Sequence, residues 1–326
     1  MPYERPQLRI SVPGMVIPGP VSMEINANGF FEADRFCVSF ALDAAANTGI
    51  DDFAGFGLQV ITIEAAIGGF GFGTLLVGQV DNVQIKVAER IAVLSGRDLS
   101  CLLVDTQVSE SFVNQTASQI ATLIAQRHNL VANVTSTSAV VGQYYELAHA
   151  RVAMGQHARA TTEWGLLVEL AWAEGFDVSV TGRVLNFGPP VSGGPVFLSA
   201  ADFTDLSFDV AASLPTGLTV RSWSTRNKAV CSAHAGDGGA TRVMVRPNLT
   251  QDRAERVAMA ELATLARHGM VLEGRMPAEM VLSPGMEMVL SGTNSKFDQS
   301  YDIAMVTRRL NVRSGFVQMI RAYAIG

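Results

Sequence analysis

The chain has 326 residues, 48% hydrophobic and 17% charged, which excludes an unstructured segment and supplies enough core for two or three packed modules. With 24 Lys and Arg against 30 Asp and Glu the net charge is -6, which excludes a protein that grips nucleic acid by its phosphates, though not one past which nucleic acid slides. Thirty glycines and only 7% aromatic residues point to β-structure with many tight turns.

Residues 1–95 read as β-structure throughout. Arg35–Leu42 and Leu58–Glu64 alternate and are rich in β-branched residues. Thr74–Val80 and Val83–Leu94 read as a pair joined at Asp81–Asn82, the second run long enough to require a bulge or bend. The character changes after Gly96. Asn114–Arg127 reads as a helix: Thr116 and Gln119 form a capping-box pattern, and Ala117, Ile120, Leu123 and Ile124 share one face. A second helix is expected over Thr162–Glu174, with Trp164, Leu167, Val168 and Ala171 in register and Gly175 as its stop. Phe176–Thr181 and Val184–Phe187, joined by Gly182–Arg183, read as a hairpin. The Gly188–Pro195 stretch, Gly- and Pro-rich, is the sharpest boundary. Beyond it strands return at Gly217–Trp223, Ala229–Ala235 and Arg242–Val245. One helix follows from Thr250 to Arg267, with Asp252 and Glu255 near its positive end, Arg267 and His268 at its negative end, and Gly269 beyond. Met286–Leu290, Ile303–Leu310 and Phe316–Ile325 complete the β-pattern. The expected fold is mainly β with an α+β insert: a β-barrel or sandwich over 1–95, a mixed α/β insert over 96–190, and a second barrel or sandwich with one helix over 191–326.

No catalytic, cofactor-binding or metal-ligating residue is assigned. Gly68–Thr74 is glycine-rich but lacks the Lys-Ser/Thr of a phosphate loop and has no helix after it, so a β-loop is expected. His128, His149, His157, His234 and His268 show no metal-ligand spacing; His128 and His268 are read as helix-end cations. His234 with Asp237 lies in what reads as an exposed loop without a nucleophile elbow. Asp98, Asp105 and Glu110 stand next to Arg97, where an ion pair shaping a turn is the plain reading. Trp164 and Trp172 read as core rather than as a ligand box. Cys37, Cys101 and Cys231 are far apart and odd in number, so buried free thiols are expected. The segment Met1–Ile10 has no apolar stretch, so no secretory signal is expected, and the sequons at Asn114, Asn133 and Asn248 carry no weight. No uncharged apolar run is long enough to span a membrane.

The stretch Leu94-Ser-Gly-Arg-Asp-Leu-Ser-Cys-Leu-Leu-Val-Asp105 resembles a motif of phage-tail baseplate hub proteins, the group that includes late control protein D and the N-terminal part of type VI secretion spike proteins. Val80–Val83 before it, Thr162–Gly188 after it, and Gly292–Tyr301 with Gly315–Phe316 near the end resemble further pieces of that family in its order. The resemblance implies a homotrimer whose two tube-like β-domains per chain form a pseudo-sixfold ring. That ring joins the tail tube protein to the central spike protein, with baseplate wedge proteins around it. The tape-measure protein and DNA would pass through its lumen without sequence-specific binding. It implies a virion component assembled in the host cytoplasm, structural rather than enzymatic and without stable membrane insertion. Because the chain ends at Gly326, needle and lysozyme functions are expected on partner proteins. The alternatives are a tail-associated cell-wall hydrolase, or the hub of a tailocin, gene transfer agent or secretion system. Within the motif, a charge-assisted Arg97–Asp98 bond is expected to anchor the crossover from first β-module to insert, with a purely local turn role as the alternative.

Overall fold

The computed structural model describes residues 6–29, 31–42, 49–67, 71–108, 112, 114–138, 140–141, 144–145, 150–151, 162–190, 193–224, 228–237, 239–246, 249–267, 269–311 and 313–325. In chain order the elements are β1 Gln7–Val12, β2 Met15–Ile17, β3 Pro20–Asn28, β4 Arg35–Ala41, α1 Ile50–Ala54, β5 Val60–Ala66, β6 Gly73–Lys86, β7 Ile91–Asp98 and α2 Cys101–Val104. The insert supplies β8 Gln115–Thr116, α3 Ala117–Arg127, β9 Val131–Val134, β10 Val140–Val141, β11 Tyr144–Tyr145, β12 Ala150–Arg151, α4 Glu163–Glu174, β13 Asp177–Thr181 and β14 Val184–Gly188. After these come β15 Val196–Ser199, β16 Asp205–Val210, β17 Gly217–Ser224, β18 Ala229–Gly236, β19 Thr241–Val245 and α5 Gln251–Arg267. The last strands are β20 Met270–Pro277, β21 Glu287–Ser291, β22 Ser300–Asn311 and β23 Gly315–Ala324. The mainly β architecture with a helical insert is therefore present.

The chain divides into two compact units that are not contiguous in sequence. The first comprises Met1–Ser192, Pro277–Gly285 and Met305–Gln318; the second comprises Gly193–Met276, Met286–Ala304 and Met319–Gly326, so the chain passes between them five times.

In the first unit an antiparallel sheet runs β2-β1-β5-β6-β7-β4-β3, and residues 305–311 of β22 pair with β3 at its far edge. Its strands alternate buried and half-buried residues, the signature of a sheet with one face on a core. That core gathers Ile25, Phe36, Val38, Phe40, Ile61, Ile63 and Leu94. The insert has its own core. Helices α3 and α4 lie with the sheet β13-β14-β9, and Ile120, Ile124, Leu167, Leu170, Leu185 and Phe187 are nearly without exposure.

Helix α3 starts at Ala117, three residues later than the apolar pattern suggests, because Asn114 takes a left-handed backbone with φ 56°. Both bonds of the predicted capping box form: Gln119 N–H donates to Thr116 Oγ1, and Thr116 N–H donates to Gln119 Oε1. The buried face is Ala117, Ile120, Ala121, Ile124 and Ala125, while the predicted Leu123 is exposed. In α4, Trp164 is buried as expected, but Trp172 is 54% exposed and sets its ring edge against Phe31.

In the second unit β16 pairs with β20, β20 with β23, and β15 with β21, which in turn pairs with the start of β22. A separate sheet, β18-β17-β19, packs one face under α5 through Leu218, Val220, Ala233, Ala235, Ala254 and Ala258. The strand expected over Ala229–Ala235 forms as β18 and runs on to Gly236, so His234 lies in the sheet and not in an exposed loop. Ala233 and Ala235 alternate inward beneath α5, which holds the segment in the sheet despite its small side chains. Of the cysteines, Cys101 is buried, Cys231 half-buried and Cys37 exposed on the outward side of β4, so burial applies to one thiol of three.

Candidate functional site

The most organised polar cluster lies where the first sheet hands the chain to the insert, around the Ser95–Asp98 end of β7. Its geometry begins in a register shift. Val80 pairs with Gly96 and Asn82 with Ser95, so Asp81 is an extra residue on β6, a β-bulge. The predicted Asp81–Asn82 turn is thus corrected: β6 continues to Lys86, and the hairpin closes over Val87–Arg90, where Arg90 takes φ 54°. Asp-Asn has no glycine to supply a tight hairpin turn, and cross-strand pairing persists on both sides of it.

The bulge turns Asp81 toward Arg97. The guanidinium lies between two carboxylates and makes two bonds to each. Nε and Nη2 donate to Asp81 at 2.7 and 3.0 Å; Nη1 and Nη2 donate to Asp105 at 3.0 and 2.8 Å. Asp105 is the C-terminal cap of α2, so one side chain ties bulge, strand end and first helical turn together. Asp81 and Asp105 raise the Arg97 pKa further, and Arg97 in turn holds the Asp105 carboxyl below its usual range. The apposition is close enough to restrict side chains: a Cβ on Gly96 would lie 1.9 Å from the Gln79 carbonyl oxygen and 2.8 Å from Phe36 Cζ.

The predicted Arg97–Asp98 bond does not form. Successive residues of a strand point to opposite faces, so Arg97 reaches outward while Asp98, 7% exposed, turns inward. There Asp98 Oδ1 accepts from Ser100 Oγ at 2.5 Å, and the Asp98 N–H donates to the Asp34 carbonyl at 3.0 Å. Burial, aided by the nearby Asp34 carboxylate, raises Asp98 to about 7. Asp34 is itself raised to about 6 by burial, against a 2.7 Å bond from the Asn28 N–H and the attraction of Arg308. Arg308, 4% exposed, donates to the carbonyls of Glu279 and Leu282. Burial pushes the neighbouring Cys101 thiol up to about 12, so it stays protonated.

From α2 the chain reaches α4 through the Thr106 carbonyl, which accepts from the Glu163 N–H at 2.9 Å, and a bridge between Gln107 and Thr162. Glu163, 1% exposed, is held by Arg127 and by His128, whose Nε2 lies 2.5 Å from its carboxylate. His128 therefore does more than face a helix dipole. Glu163 itself was missed, since an acidic residue in a first helical turn reads as an ordinary dipole partner. Trp164 Nε1 donates to the Phe31 carbonyl at 2.8 Å.

Other candidates do not join this cluster. His234 lies on the outward face of β18 with Nδ1 3.0 Å from Thr219 Oγ1, its cross-strand neighbour. Thr74 lies in β6. Among the described residues no group of three His, Cys, Asp or Glu side chains is placed to hold a metal ion. His149, His157, His268, Glu110, Asn248 and Gly68–Phe70 lie outside the described residues. Among the described residues, no helix is long and apolar enough to cross a membrane. What the cluster can do chemically is fix an angle: it welds a strand end, a bulge and a helix into one joint.

The overall fold recurs in known structures. A 43 kDa tail protein of prophage MuSo2 from Shewanella oneidensis superposes with a TM-score of 0.75, over 97% of this chain and 98% of that one, at 16% sequence identity. It shares the fold of a phage tail protein. A tail protein from Neisseria meningitidis MC58 gives 0.72 at 14% identity, over 98% of this chain and 97% of its own. A component of the Escherichia coli type VI secretion system gives 0.59 at 13% identity, over 97% of this chain and 77% of its own. No family profile matches the sequence, and no curated protein sequence matches it. The resemblance carried by Leu94–Asp105 is thus borne out by the tail-protein fold, across nearly the whole chain.

Proposed function

We propose that this chain is the central baseplate hub of a phage-type tail or a phage-derived injection device, acting as a structural part rather than an enzyme. Three copies close a ring that joins the tail tube to the central spike. In this reading residues 1–95 and 191–326 supply the two tube-like modules of each copy, except that 277–285 and 305–318 belong with the first, and residues 96–190 form the insert between them. Wedge proteins gather around the ring, and the tape-measure protein and DNA pass through its lumen in the assembled virion.

The observation that carries the reading is the full-length likeness to phage tail proteins, at TM-scores of 0.75 and 0.72 with both chains almost wholly covered. The Arg97 joint supports it. A ring element works by geometry, and the motif most characteristic of the resemblance sits where the first sheet turns into the insert. The test is the mass of the purified chain by light scattering, followed by negative-stain images of the same fraction. Three times 34.8 kDa, seen as an open ring, is the expected result. A monomer that forms no ring, alone or mixed with its device's spike protein, would overturn the proposal.

A further inference from the structure

Strand β9 is the border of the insert's sheet β13-β14-β9, and among the described residues no strand lies on its other side. The N–H groups of Val131 and Thr135 donate toward β14, to the carbonyls of Arg183 and Phe187, at 2.8 Å each. Backbone groups alternate in direction along a strand, so those of Ala132 and Val134 point away from the sheet. Along this free edge runs a groove of about 760 Å3, within the usual range of ligand clefts. Val134 and Ser136 form one wall. The other is a stripe of α3 that carries Gln119, Thr122 and Gln126, with Gln115 at its start. Among the described residues the lining holds no charged and no aromatic side chain; its polar groups are amides and hydroxyls. Within it the Gln115 Oε1 is buried and has no hydrogen-bond partner. Buried acceptors in folded proteins are almost always matched by a donor, so this one points to a group the chain itself does not supply.

We propose that this groove takes an extended, uncharged peptide segment of a partner protein, added as a fourth strand beside β9. The free edge offers alternating N–H and C=O groups, whose spacing another extended backbone matches. Amides and hydroxyls on α3 can donate or accept, so they serve the far side of the added strand whatever its sequence. One of its backbone N–H groups gives the Gln115 oxygen the donor it lacks. A charge at the centre of the segment would lose water without gaining a counter-ion, so the segment is neutral there. Nucleic acid is a poor fit, because the lining supplies neither cations for phosphates nor rings for bases. A sugar would find hydroxyl and amide partners but would leave the strand edge unused. The groove belongs to the insert, which has its own core, so the inference stands apart from ring closure.

The experiment selects a display library of random heptapeptides on the full chain and remakes the enriched peptides for titration by fluorescence polarisation. These peptides should lack charge at their centre, and their binding should slow hydrogen exchange at the amides of Ala132 and Val134. Gln115→Met removes an oxygen that the free chain does not use. Its thermal unfolding should match or exceed wild type while peptide affinity falls about tenfold. Leu123→Lys sets a charge in the neutral lining from a helix position that is 37% exposed, so the fold should stand and affinity should fall at least about tenfold. A library that enriches nothing on wild type over the Leu123→Lys chain would overturn the inference. So would peptides that bind both variants as they bind wild type, or that leave the two amides unprotected. Titration with a neutral chito-oligosaccharide decides the other case: a sugar that binds wild type, and that Leu123→Lys and Gln115→Met weaken while no peptide is enriched, would give the groove to carbohydrate instead.

Discussion

Replacing Asp98 by Asn tests the physical account of the joint. Asp98 is 7% exposed, accepts from Ser100 Oγ at 2.5 Å, and is raised by burial to about 7. In the unfolded chain an aspartate titrates near ~3.9. Between those values the folded state holds a proton that the unfolded state has released, so this residue's contribution to stability falls as pH rises. The direction is opposite to that of a salt-bridged carboxylate, whose contribution is lost as pH falls. The difference corresponds to ~4 kcal/mol, and structural relaxation with some water entry leaves about 2 kcal/mol as the cost of ionised Asp98 at about pH 8. Asn keeps an oxygen for Ser100 and cannot ionise. In urea unfolding followed by tryptophan fluorescence, Asp98→Asn should exceed wild type by about 2 kcal/mol near pH 8, and the gap should close toward about pH 4.5. A variant destabilised equally at both ends, or one whose advantage grows as pH falls, would refute the argument that Asp98 is buried and holds its proton well above the usual carboxylate range.

Two further outcomes follow from the same joint. Gly96→Ala forces a Cβ to 1.9 Å from the Gln79 carbonyl and against Phe36, so strand β7 must shift. Thermal unfolding should show a loss of about 3 kcal/mol, whereas Gly55→Ala, at φ -87° with nothing near it, should lose much less. Arg97→Lys keeps the charge but loses the fork that engages Asp81 and Asp105 together. The cost should be about 1 kcal/mol at low ionic strength and smaller in high salt, since the cluster is partly exposed. An unchanged melting temperature at low salt would remove Arg97 as the element that sets the geometry.

Much of the element order was legible because local rules act locally. Thr116 and Gln119 cap α3 with the bonds their spacing predicts, and Gly175 ends α4 in a left-handed conformation with φ 72°. Leu94–Asp105 was legible as a motif, and an Arg–Asp ion pair at Arg97 with it, which Asp105 supplies; that Asp98 takes no part and Asp81 does was not. Adjacent residues Arg97 and Asp98 looked like partners, and only strand alternation separates them. Asp81 was read as a turn because a bulge leaves no local composition signal; it is defined by which residue faces it across the hairpin. Arg308 was invisible for a related reason. A buried arginine satisfied by the carbonyls of Glu279 and Leu282 depends on a segment nearly thirty residues away. His128 and Glu163 lie 35 residues apart, so nothing in either neighbourhood announces their contact.

The repeated passage of the chain between its two units has a bearing on synthesis. Strand β3 is hydrogen-bonded by residues 305–311, and Thr307 and Arg309 find Asn26 and Glu24 across separations of 281 and 285 residues. A ribosome must add some 281 residues after Asn26 before that edge of the first sheet can be closed. Until then β3 presents an unpaired border, the kind of surface that invites pairing with a neighbouring nascent chain. Translation and completion of the fold are therefore separated in time.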